Sequence, residues 1–162
     1  MEQAGHAEHA EHAGHDQGEN LNRVAVSATF HCLTGCALGE IVGMMIATAF
    51  GWGNFAQIAT AVGLAYVFGF TLTARPLIKA GLSASVVVST ALAADTISIT
   101  IMEVIDNAFV LAVPGAMEAG ITDPLLYATV AGGFVIAFPF AWWANRYMIA
   151  RGTGHAVVHQ YH

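Results

Sequence analysis

"EIVGMMIATAFGWGNFAQIATAVGLAYVFGFTLTAR", Glu40 to Arg75, encloses 34 positions without one Asp, Glu, Lys or Arg. A helix needs about 20 mostly apolar residues to cross the hydrocarbon core of a bilayer. The run is too long for one crossing and long enough for two, and "GWGN", Gly51 to Asn54, supplies the turn between them. Extending outward gives four apolar segments: Val24 to Phe50, Phe55 to Thr73, Ser83 to Val113 and Leu125 to Asn145. Each is long enough to span as a helix, the form that satisfies its own backbone in lipid. The predicted fold class is therefore all-α: a polytopic membrane protein with four transmembrane helices.

The joints have local causes. Pro76 disfavours helix at Arg75, Ser83 is an expected N-cap, and Asp123-Pro124 offers an N-cap followed by proline at the first helical position. "PGAMEAGIT" after Val113 reads as a short external turn. The organisation expected is a histidine-rich disordered tail over 1–22, a four-helix membrane domain over 23–151 and a histidine-containing tail over 152–162.

Orientation follows from five basic residues, Arg23, Arg75, Lys79, Arg146 and Arg151. With four crossings, all five fall on the side that also holds both termini. The positive-inside rule makes that side cytoplasmic, in a prokaryotic inner membrane. The first 22 residues lack the basic start and apolar core of a signal peptide. No basic patch with interleaved aromatics points to nucleic acid. Cys32 and Cys36 are one helical turn apart, with β-carbons about 5 to 6 Å from each other. A disulfide needs about 4 Å, so free thiols are expected.

Within the first span, "FHCLTGCALGEIVGMM" (Phe30 to Met45) sets Cys32, Cys36, Glu40 and Met44 four residues apart, with His31 bordering the stripe. At 1.5 Å per residue from Val24 these groups fall about 12, 18, 24 and 30 Å along the helix. The third span carries a second column in "ADTISITIMEVIDN", Ala94 to Asn107: Asp95, Met102 and Asp106 share one face, Glu103 and Asn107 the next. Cys36 and Asp95 come to similar depth, as do Glu40, Met44, Met102 and Glu103 if the helices pack together. An ionised side chain at the bilayer centre costs about 2.5 to 3.5 kcal/mol on insertion scales. No basic residue lies within these spans, so protons, cations or water must compensate.

Ligand type narrows the cation. Thiolate and thioether favour Cu(I), imidazole serves several transition metals, and carboxylates suit harder ions. The expected metal set is His31, Cys32, Cys36, Glu40, Met44 and Met102, with Asp95, Glu103, Asp106 and Asn107 relaying ions or protons. His6, His9, His12 and His15 in one tail, and His155, His159 and His162 in the other, are expected to take up metal. The paired CxxC pattern of structural zinc and the CxxCH of haem attachment are both absent. Neither a haem nor a nucleotide is expected, and no paired catalytic carboxylates or serine triad mark an enzyme. Taken singly, a buried cysteine is a small apolar core residue and a membrane methionine is packing. Gly35, Gly39 and Gly43 form a small-xxx-small ridge that joins helices within one chain or between chains. A homo-oligomer through this ridge is the expectation.

The segments "ATFHCLTGCALGE" (Ala28 to Glu40), "TLTARPLIKAG" (Thr71 to Gly81), "ALAADTISITIMEVIDNAFVLAVPGAMEAGITDPL" (Ala91 to Leu125) and "NRYMIARGTGHAVVH" (Asn145 to His159) resemble DUF4396, a family of small bacterial and archaeal membrane proteins. The family's motif residues map onto His31, Cys32, Cys36, Glu40, Asp95, Glu103, Asp106, Asn107, His155 and His159, and its name implies no function. A looser likeness is to copper-uptake transporters, with their His/Met-rich tails and GxxxG ridge. This chain departs from them in having four spans, no MxxxM and histidine tails on the inside. The functional expectation is a protein that binds and transports a transition-metal ion, Cu(I) ahead of zinc or another divalent cation. The alternatives are a noncatalytic scaffold subunit and a divalent-cation or proton pathway without copper.

Overall fold

A computed structural model describes the backbone of residues 3–151 and the side chains from residue 20 onward. It has four helices: α1 (Gln3–Ala49), α2 (Asn54–Lys79), α3 (Ala84–Ala112) and α4 (Pro124–Ala150). All four are long and apolar enough to cross a membrane, the candidate span of α1 lying within Asn20–Ala49. The helical backbone of α1 thus runs through the boundary at residue 22 where the sequence placed the end of a tail.

Two of the expected joints behave as their chemistry dictates. The Asp123 carboxylate accepts the Leu125 N–H at 2.9 Å, with Pro124 opening α4. In the GWGN turn Gly51 takes φ +64°, a left-handed backbone that side chains with a β-carbon resist; Gly81, which the sequence does not single out, closes the second turn in the same way at φ +77°. Ser83 does sit at the N-cap of α3, but its hydroxyl makes no capping bond. The break expected at Arg75-Pro76 is corrected: α2 continues through Pro76 to Lys79. One more turn brings Leu77 fully into the core, and the Pro76 carbonyl is capped by the Ala80 N–H at 2.9 Å. That gain outweighs the backbone bond a proline cannot make.

Around the bundle the neighbours are α1–α2, α2–α3, α3–α4 and α4–α1, and α1 and α3 also meet across the diagonal. The closest approach is α1 on α2. A β-carbon on Gly35 would come within 2.8 Å of the Gly69 Cα, one on Gly43 within 2.5 Å of the Ala61 Cα, and one on Gly39 would collide with the Ala65 backbone. The glycine ridge is therefore filled by α2 of the same chain. This corrects the expectation that it joins separate copies, because the backbone contact that small residues permit is already made here.

The interior is largely apolar, but the outer surface is apolar as well and the buried set includes polar and acidic groups. Phe55, Val135, Val104 and Val67 are exposed on the outer surface, while Thr29, Glu40, Asp95, Ser98, Glu103, Asp106 and Asn145 are buried. Hydroxyls on the outer surface are satisfied within their own helix: Thr34, Thr71 and Thr96 each donate to the carbonyl four residues back. Lipid tolerates exposed Phe and Val but not an open polar group, so this arrangement suits a bilayer.

Candidate functional site

The diagonal contact of α1 and α3 brings the two predicted columns face to face. Cys32 and Asp95, both fully buried, meet directly, the thiol donating to Asp95 Oδ1 at 3.6 Å. One turn along, Cys36 lies against Glu103. A further turn brings Glu40 beside Asp106, with Glu103 also near both acids. The period of four on α1 thus matches rising positions on α3, which is what two helices crossing at a shallow angle require. Each α1 group has an acid opposite.

Several carboxylate oxygens in this column are buried without a hydrogen-bond partner: Glu40 Oε2, Glu103 Oε1 and both oxygens of Asp106. Asn107 on α3 anchors its neighbour, its amide donating to the Glu103 carbonyl at 2.9 Å and to Glu103 Oε2 at 3.4 Å. Space for Asp106 is made by α4, where a β-carbon on Gly133 would collide with the Asp106 carboxylate. Buried carboxylates with open lone pairs are costly to leave so. Protons shared among the acids, or a bound cation, are the two ways this chemistry satisfies such oxygens.

Beside the Cys32–Asp95 pair lies a knot of uncharged groups. Ser98 donates to Asn145 Oδ1 at 2.5 Å, Asn145 Nδ2 donates to Thr29 Oγ1 at 3.0 Å, and Thr29 Oγ1 reaches the Ala25 carbonyl at 2.8 Å. Three helices are tied at one residue, Asn145. At the opposite end a cavity with about 20 Å³ of water-sized space opens beside Glu40, lined by Met44, Gln57, Asn107 and Met117 among others. About 10–15 Å³ of such space holds one water.

The expected residues divide accordingly. Cys32, Cys36, Glu40, Asp95, Glu103, Asp106 and Asn107 form one continuous column. Met44 lines the cavity, whereas Met102 is wholly buried in the core cluster that contains Cys32, Cys36 and Ile99. His31 is half-buried on α1. Among the described residues, no three His, Cys, Asp or Glu side chains are grouped so as to hold a metal ion. The side chains of His6, His9, His12 and His15, and all of His155, His159 and His162, lie outside the described residues.

Asn145, Ser98, Thr29 and Met117 were not among the expected site residues. Asn145 carried a signal, an amide at the end of an apolar run, but its place beside Arg146 made it read as the edge of a span. Met117 sits in a stretch that reads as an external turn, and nothing local shows that the turn folds back.

Fold and site together define an integral membrane protein of four helices with a buried thiol–carboxylate column at its centre. The family model "Domain of unknown function (DUF4396)" matches residues 21–154. The chain belongs to this family. No curated protein and no solved structure matches it.

Proposed function

We propose that this protein binds a soft transition-metal cation and passes it along the α1–α3 column, with Cu(I) as the cargo, in the cytoplasmic membrane of a prokaryotic cell. The observation that carries the reading is the convergence of Cys32, Cys36, Glu40, Asp95, Glu103 and Asp106 into one buried file, while Arg23, Arg75, Lys79 and Arg146 lie toward the ends of the spans. Thiolates select Cu(I) over harder ions. A d10 Cu(I) ion accepts low coordination, and two thiols one turn apart on one helix face offer a short ladder of soft donors. The carboxylates opposite lower the cost of a cation in the membrane and accept the protons that the thiols release on binding it. The proposed action is passage, without chemical transformation of the cargo.

A second reading, a proton pathway, is favoured by the donor–acceptor pairing of Cys32 with Asp95 and by the adjacent carboxyls of Glu40 and Asp106. Elemental analysis of the untagged protein, purified anaerobically beside the Cys32→Ser/Cys36→Ser variant, separates the two. Copper near one atom per chain in the native protein and absent from the variant supports the metal reading. A native protein that stays copper-free after reconstitution with Cu(I) removes it, leaving the carboxyl file as a proton path or an assembly surface.

A further inference from the structure

The cavity at the end remote from the basic residues has a composition that the helical columns do not explain. Its floor is Glu40, only 4% exposed, whose Oε2 is buried and has no hydrogen-bond partner. Met44 from α1 and Met117 from the α3–α4 connection face the same space, and the amides of Gln57 and Asn107 complete its polar lining. Met117 is brought there by a specific fold of the connection. Gly115 turns the chain with φ +81°, the Ala116 N–H bonds the Val113 carbonyl at 3.2 Å, and Ala116 is buried. Thus a residue between two spans returns to cover the end of the column.

We propose that this cavity is the loading site of the column: the thioethers of Met44 and Met117, with the Glu40 carboxylate between them and the file below, take a soft monovalent cation of the Cu(I) type before it moves to Cys36 and Cys32. This rests on the metal reading above and adds a separate site to it. Size and donor type both favour such an ion. The space admits about one water, so a hydrated divalent ion that sheds its shell reluctantly is excluded. Thioether sulfur, a poor ligand for hard cations, is a good one for Cu(I). A neutral sulfur pair holds the ion loosely, as a loading site must, and the open lone pair of Glu40 gives it the next step inward. Met102, although on the third helix at similar height, is enclosed in the core and does not line this space.

The test is anaerobic titration of the full chain in lipid nanodiscs with Cu(I), presented by a chromophoric chelator that competes for it. The native protein, Met44→Leu/Met117→Leu, Glu40→Gln and Cys32→Ser/Cys36→Ser are compared. Methionine and leucine are close in volume, so the packing is kept. Should the double change disturb folding, Met117→Leu alone, at a half-buried site between helices, carries the test. The expected result is two classes of bound Cu(I): the methionine variants weaken the looser class by at least about tenfold and keep the tighter one, the cysteine variant does the opposite, and Glu40→Gln, which touches both cavity and column, weakens the looser class at least as much as the methionine changes do. Methionine variants that titrate like the native protein, with copper still lost in the cysteine variant, overturn the loading site and leave the thiol reading standing. A native protein that binds no Cu(I) overturns both.

Discussion

Asn145 joins α1, α3 and α4 through two hydrogen bonds, and its side chain is fully buried. In lipid such a bond is worth about 0.6 kcal/mol on average and up to about 1.7. Asn145→Leu also leaves Ser98 with its donor unused. The expected loss is about 1 to 3 kcal/mol, read as a lower midpoint when mixed micelles are titrated with a denaturing detergent. An unchanged midpoint would show that the knot adds nothing to stability. The acids of the column were legible in the sequence because an Asp or Glu inside an apolar run has few structural excuses. Asn145 was not, because an uncharged amide beside an arginine looks the same whether it ends a span or turns inward. Only the neighbours it meets distinguish the two.

At the scale of the helix, the α1–α2 contact depends on the absence of side chains. A side chain at Gly39 would strike the Ala65 backbone, which cannot rotate away. Gly39→Leu is expected to force α1 from α2 and cost about 1 to 3 kcal/mol or more, with a fall in thermal stability in detergent. Gly63 on the same α2 faces open space, so Gly63→Ala is expected to be neutral or slightly stabilising. The comparison separates contact from composition. If the two changes have equal effects, close helix approach is not the role of the ridge. The existence of a ridge is visible in the spacing of Gly35, Gly39 and Gly43; its partner is not, since small residues accept any helix that presents a matching groove. Pro76 makes the same point from the other side. A proline lowers the local preference for helix, yet burial of Leu77 one residue later carries α2 onward.

For the whole molecule, four spans put residues 80 and 118 on opposite sides of the bilayer. With all five basic residues on the side of residue 80, that side is expected to face the cytoplasm. A membrane-impermeant thiol reagent applied to intact cells should label Glu118→Cys and leave Ala80→Cys unlabelled, in a background where Cys32 and Cys36 are serine. Both positions are exposed. Labelling of Ala80→Cys alone would invert the topology, and labelling of both would break the four-span arrangement.

The sequence by itself determined the number of spans, their approximate ends, the sidedness of charge and the placement of thiols and acids at matching depths. Those properties follow from how the hydrocarbon core selects residues one at a time and from the fixed rise of a helix. Tertiary structure decided which column faces which, that the glycine ridge is closed within one chain, that α4 contributes Asn145 and Gly133 to the interior, and that a connecting turn brings Met117 over Glu40. Such choices are made by the fit of one helix surface on another, and the residues that compete for a contact can lie far apart along the chain.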